Sequence, residues 1–132
     1  YEKKDMDNYL KWAKHAGERG VGDAQFNLGV YYSRRNNIKE SECWYLKAAE
    51  QNIVSAQYNL GNLYNQQNNT DKAEYWYLKA SEQNYMKAQY NLANLYIRQN
   101  KIEDAKIWYL KASELGSEEA KTELKNLDDM ED

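Results

Sequence analysis

Trp12, Trp44, Trp76 and Trp108 recur at one constant interval, and no other feature of this 132-residue chain limits its fold so tightly. Ala24, Ala56, Ala88 and Ala120 keep the same step, as do Leu28, Leu60, Leu92 and Leu124. The unit from Ala56 to Lys87 matches the unit from Ala88 to Glu119 at 18 of 32 positions. A period of this length signals stacked supersecondary units, none of which can bury its apolar face alone.

Each unit reads as two amphipathic helices. Leu60, Gly61 and Tyr64 share one face of the first, and Ala73, Trp76, Tyr77 and Ala80 share one face of the second, at 100° per residue. Asn68-Asn69-Thr70-Asp71 lies between them and supplies capping and turn residues. Strand alternation is absent, and there is no proline to interrupt a helix. Small residues recur where helices meet: Gly29, Gly61 and Ala93 in the first helix, and Ser41, Ala73, Ala105, Ala48, Ala80 and Ala112 in the second. Each small residue offers a seat for a tyrosine or tryptophan of the neighbouring helix. The register predicts an all-α, right-handed α-solenoid of about eight helices, folded as a single repeat domain over residues 1–132. Its parts are a partial repeat over 1–22, full repeats over 24–55, 56–87 and 88–119, and a capping helix over 118–130. In that last helix Lys125 and Asp128 replace the small residue and the tyrosine of the pattern, as a polar end requires. The chain opens on Tyr1, where a preceding first-type helix would end, so the register also reads as an array cut on that side.

The strings AQYNLGNLY (Ala56 to Tyr64) and WYLKASEQN (Trp76 to Asn84) resemble the Sel1-like branch of the tetratricopeptide superfamily. The period is shorter than is usual for that branch, and the closing proline of many tetratricopeptide units is missing. The resemblance implies a non-catalytic adaptor or scaffold that holds peptides or protein surfaces.

Composition bounds the alternatives. Eighteen basic against 21 acidic residues give a net charge of −3, without the basic excess that nucleic-acid binding needs. No apolar run reaches the roughly 20 residues of a membrane span. The mean hydropathy of −1.09 would suit a disordered chain, but 13 tyrosines and 4 tryptophans contradict it. A lone cysteine and a lone histidine exclude an internal disulfide and a zinc site of the usual type. His15, which stands where other units carry lysine, is expected on a solvated face; Cys43 is expected as a small packed hydrophobe at the rim of the core. No acid, base and nucleophile lie at motif spacing, so neither catalysis nor a cofactor is expected. Compartment is set only weakly: a lone thiol favours the cytoplasm slightly, and a secreted or periplasmic site stays open if a leader has been removed.

Trp44, Trp76 and Trp108, with Tyr45, Tyr77 and Tyr109, are expected in the core. A second stripe on the first helices turns away from it, and the resemblance makes that stripe the lining of a concave groove. In the first unit it comprises Phe26, Val30 and Arg34. Tyr58, Asn62, Asn65 and Gln66 follow in the second unit, and Tyr90, Asn94, Ile97 and Arg98 in the third. Asn126 continues the row on the cap, and Lys87 adds positive charge beside it. Asn62, Asn94 and Asn126 repeat at the step of the tryptophans, and a side-chain amide can both donate to and accept from a peptide backbone. The expected partner is a protein or an extended peptide, bound by a monomer. The rival readings are an immunity or inhibitor protein that meets a toxin or enzyme through its convex face or ends, and a spacer within a longer array.

Overall fold

The computed structural model describes residues 2–131, and among them every element is an α-helix. In chain order these are α1 (Glu2–Glu18), α2 (Gly22–Arg34), α3 (Ile38–Glu50), α4 (Val54–Gln66), α5 (Thr70–Glu82), α6 (Met86–Arg98), α7 (Ile102–Glu114) and α8 (Glu118–Glu131). Six consecutive helices, α2 to α7, each have 13 residues. The helices form two compact units, one ending at Leu63 and the other beginning at Tyr64.

The turns explain the uniform helix length. Positive φ occurs at Gly20, Asn36, Asn52, Asn68, Asn84, Asn100 and Gly116, at every sixteenth position and so twice in each sequence repeat. At each, the helix closes with a paired carbonyl capture: the Asn37 N–H donates to Tyr32 O at 2.9 Å and the Asn36 N–H to Ser33 O at 3.0 Å. The same pair recurs from Val21 to Ala16 (3.0 Å) through to Ser117 and Ala112 (3.0 Å). Asparagine and glycine are the residues that enter the left-handed region at least cost, which makes them the natural stop for each helix. The following helix then starts with little side-chain help. Among the described residues only Asn69, accepting from the Lys72 N–H at 3.4 Å, and Ser117, accepting from the Ala120 N–H at 3.1 Å, are seen to cap a helix N-terminus.

In the first unit the core is built by close approach. Tyr45 lies so near Gly29 that a Cβ there would fall 2.4 Å from its ring, and the Ser41 hydroxyl donates to the Gly29 carbonyl at 2.8 Å. A Cβ on Gly17 would meet Trp44 at 2.8 Å. Trp44 packs with Ala13 and Leu28, flanked by Leu10 and Tyr32. In the second unit Ala73, Trp76, Tyr77 and Ala80 of α5 and Leu92, Ala93 and Tyr96 of α6 are buried, the faces that the periodicity assigns. Trp108 departs from expectation, being only half-buried. Ser81 stands at the repeat position of Gly17, the glycine against which Trp44 packs. Cys43 is a second correction. It is exposed, as are Tyr75 and Ile107 at the same repeat position, because one residue before the tryptophan lies 100° off the buried face. His15 is exposed, as expected.

Buried glutamines tie successive helix pairs together. Gln25 Nε2 donates to Gly17 O at 2.9 Å, Gln57 Nε2 to Ala49 O at 3.2 Å, and Gln89 Nε2 to Ser81 O at 3.2 Å. Gln25 Oε1 is satisfied in turn by Gln51 Nε2 at 2.7 Å, which also reaches Gly20 O at 2.9 Å. Leu115 occupies the place of Gln51 two repeats on, and there Gln89 Oε1 is buried with no partner among the described residues. The last helix reverses a polarity. Tyr96 donates its hydroxyl to Glu74 Oε2 at 3.3 Å, whereas one repeat later Asp128 faces Lys106 at 3.8 Å.

Two substitutions test this packing. Trp76→Ala removes a buried aromatic and should cost about 3–5 kcal/mol in chemical denaturation, enough to blunt cooperative unfolding in so small an array. Leu115→Gln should raise stability by about 0.5–1.5 kcal/mol, because the new amide supplies Gln89 Oε1 with the donor that Gln51 gives Gln25. An unchanged midpoint for Leu115→Gln would show that Gln89 tolerates its solitary oxygen.

Candidate functional site

The stripe expected on the first helices comes out half-buried to exposed, outside the core, at every position. In the first unit Phe26 leans on Tyr45, with ring centroids 6.0 Å apart, while Asn59 Nδ2 donates to the Tyr45 hydroxyl at 3.3 Å. Phe26, Val30 and Arg34 line a groove of about 730 Å³. Met6 and Tyr9 of α1, with Asn27, Tyr31 and Arg35 at α2, complete it. Arg35 stacks on Tyr31 with its guanidinium carbon 3.6 Å from the ring centroid, and its Nη1 donates to Tyr31 O at 3.3 Å. Tyr58 and Asn62 lie half-buried on α4.

The second unit brings further members of the row into contact. Arg98 Nη2 donates to Asn65 Oδ1, joining α6 to the last turn of α4. Tyr109 donates its hydroxyl to Asn94 Oδ1, and Tyr90 lies against Tyr109 with centroids 5.9 Å apart. The tyrosine uses only the oxygen of the Asn94 amide. Ile97 is half-buried; Gln66, Arg98 and Asn126 are exposed. Lys87 stands apart, beside Tyr85 and Met86 in a shallow depression of about 240 Å³ at the start of α6.

No group of three or more His, Cys, Asp or Glu side chains capable of holding a metal occurs among the described residues, and no described helix is long and apolar enough to cross a membrane. Lys14 is raised, chiefly by its hydrogen bond with Tyr32, and Tyr45, Tyr96 and Tyr109 are raised as well. Burial raises Tyr45, while hydrogen bonds from Asn59, Ser33 and Ser41 oppose the rise. Burial, then the Glu74 carboxylate, pushes Tyr96 up to about 12; burial, then Glu123 and Tyr90, pushes Tyr109 up to about 12. These are shifts toward a neutral hydroxyl donor, the form in which Tyr109 holds Asn94.

The Sel1 repeat family matches residues 22–53 and 54–85, which contain the pairs α2–α3 and α4–α5, and the tetratricopeptide repeat family matches residues 87–115. The chain belongs to the Sel1-like, tetratricopeptide-type repeat proteins. Among solved structures, a protective antigen of uropathogenic Escherichia coli strains with an SLR fold is 31% identical, with a TM-score of 0.77, over 89% of this chain and 28% of the antigen. A Sel1 repeat protein from Oxalobacter formigenes is 29% identical, with a TM-score of 0.75, over 87% of this chain and 52% of that one. The Sel1-like chain thus spans about a quarter of the first relative and half of the second. The first tetratricopeptide domain of Spaghetti (RPAP3), solved with the HSP90 peptide SRMEEVD, shares the fold at 22% identity and a TM-score of 0.69, over 83% of this chain and 91% of that one. No curated protein matches by sequence. Helix order and relatives alike give this Sel1-like protein the all-α repeat-solenoid class, in which protein–protein interaction is the common role and catalysis is not.

The burial of the Tyr96 and Tyr109 hydroxyls predicts an alkaline limit to stability. The unfolded tyrosines ionise near pH 10, but Tyr96 and Tyr109 keep their protons in the fold to about 12. Their contribution is therefore complete below pH 10 and is lost as pH rises from 10 to 12. Melting temperature should fall across that window. Tyrosinate absorbance of the folded protein should show the Tyr96 and Tyr109 hydroxyls titrating late, and Tyr109→Phe should remove one of them.

Proposed function

We propose that this protein is a non-catalytic binding module that holds a protein segment in extended form on the stripe carried by its first helices. The observation that supports the reading is the Asn94 amide, its oxygen fixed by Tyr109 and its nitrogen left for a peptide carbonyl. Asn62 and Asn126 repeat that residue on α4 and α8, at the step of the array. Tyr58, Tyr90 and Ile97 add apolar surface, and Arg34 and Arg98 add positive charge suited to acidic side chains. The peptide bound by the tetratricopeptide domain of Spaghetti supports this use of the fold.

A second reading has its own observation. Tyr75, Ile107 and Leu110 on α5 and α7 are each about half exposed, an apolar set on the second helices suited to capping a toxin or enzyme as an immunity protein does.

The test starts from a partner identified by affinity capture from the source organism and confirmed by titration calorimetry with purified components. Asn62→Ala/Asn94→Ala should weaken binding by roughly tenfold to a hundredfold, at about 0.5–1.5 kcal/mol per lost amide, and more where a buried group is left unpaired. Asn94→Ala also deprives Tyr109 of its acceptor, so thermal melts must show the double variant folded at the temperature of the titration. Unchanged affinity in the folded double variant, with loss in Ile107→Asp/Leu110→Asp, would transfer the contact to the second helices.

A further inference from the structure

One repeat position changes its chemistry along the array. It is held by Asn59 on α4, Asn91 on α6 and Glu123 on α8, and all three are half-buried. Asn59 Nδ2 donates to the Tyr45 hydroxyl at 3.3 Å. Tyr109 is the counterpart of Tyr45 two repeats on, as Glu123 is of Asn59, so the register sets the Glu123 carboxylate near the Tyr109 hydroxyl. The charge on Glu123 is accordingly among the influences that raise Tyr109. A carboxylate cannot donate as the Asn59 amide does, and the Tyr109 proton is already given to Asn94 Oδ1. Among the described residues Glu123 has neither a hydrogen bond nor an ion pair. A half-buried negative charge thus stands by an amide and two tyrosines, with no cation to meet it.

We propose that Glu123 selects an arginine in the segment bound on the first helices of the second unit, its carboxylate pairing with the guanidinium beside the ring of Tyr90. The inference rests on the reading of the amide row as a peptide site, and it names the side chain that the site prefers. Arginine suits the place better than lysine. Its planar fork pairs with a carboxylate at two points, and its face stacks on aromatic rings. The chain already uses that stacking where the Arg35 guanidinium carbon lies 3.6 Å from the centroid of Tyr31. Tyr90 is half-buried and lies against Tyr109, the residue that Glu123 adjoins. Farther along α6 the sign reverses. Arg98 is exposed and lies seven positions beyond Asn91, the counterpart of Glu123, or about 10 Å at the rise of a helix. Asn65 accepts from one nitrogen of Arg98, and the guanidinium keeps further donors for a carboxylate. A segment of mixed charge therefore fits, with its arginine at Glu123 and an acidic residue at Arg98, at least about three residues of extended chain apart.

The probe is a phage-displayed library of random heptapeptides, selected on the immobilised chain and, in parallel, on Asn94→Ala. Peptides retained by the first and not by the second report on the amide row. Among them an arginine at one fixed position is expected, and selection on Glu123→Arg should replace it there with aspartate or glutamate. The consensus peptide, made synthetically, should lose about tenfold in affinity for Glu123→Gln by titration calorimetry, as for one charge-assisted hydrogen bond. Citrulline in place of the arginine should cost the parent chain a similar factor and leave binding to Glu123→Gln unaffected. Glu123 lies outside the core, and circular dichroism melts would confirm that each variant folds. Amide-dependent peptides with no basic preference, or with one that Glu123→Arg leaves unchanged, would overturn the proposal while the peptide site stands. A library that yields no amide-dependent peptide would overturn both. Sedimentation showing a dimer that Glu123→Gln dissociates would make a second copy the occupant and overturn the proposal.

Discussion

Everything in this chain depends on a left-handed residue arriving every sixteenth position. A helix of constant length followed by a turn of constant length always presents its next face at the same phase, so one packing solution serves repeatedly. Asparagine is a costlier choice than glycine for positive φ, yet five of the seven turns use it. Asparagine also restricts the unfolded chain more than glycine does, so less conformational entropy is lost on folding. With helix length pinned in this way, the apolar residues need only recur at the same step. That is why a sequence with a mean hydropathy of −1.09 can still assemble a core from alanine, leucine, tyrosine and tryptophan.

The fold was largely legible because its determinants are local and repeated. Trp76, Tyr77, Leu60 and Tyr64 announce their burial by helical spacing, and Gly29 announces the approach of Tyr45 by being small where a helix interior favours larger residues. Less legible was what depends on neighbours several turns away. Gln25, Gln57 and Gln89 repeat at the same step as the leucines, and their period was a usable signal. Glutamine, however, is ordinarily a surface residue, and only the carbonyls of Gly17, Ala49 and Ser81 reveal why it is buried. Cys43 went astray for a simpler reason: a small apolar residue beside a buried tryptophan looks packed until the 100° step between them is taken into account.

The candidate site divides along the same line. Membership of the stripe on the first helices followed from phase alone, and Phe26, Val30, Arg34, Asn65, Asn94 and Arg98 all lie outside the core as phase requires. The pairing of Asn94 with Tyr109, and of Arg98 with Asn65, joins residues distant in sequence and could not be read from periodicity. Met6, Tyr9, Tyr31 and Arg35 escaped notice because repeats draw attention to what recurs. These residues matter where recurrence stops: Tyr9 stands in the place of Ser41, Ala73 and Ala105, and Tyr31 in that of Leu63 and Leu95.

The exchange of Tyr96 and Glu74 for Asp128 and Lys106 bears on how such proteins change length over evolution. A duplication or deletion of one whole repeat between equivalent asparagine turns joins like to like, and each new junction inherits a working set of seats, caps and glutamine clamps. The same insertion placed after α8 would press a new helix onto Lys125 and Asp128, groups now held in water. Growth is therefore tolerated in the interior of the array and opposed at that helix. Unequal crossing-over has in this chain a template that accepts new modules ahead of its last helix while leaving that helix unchanged.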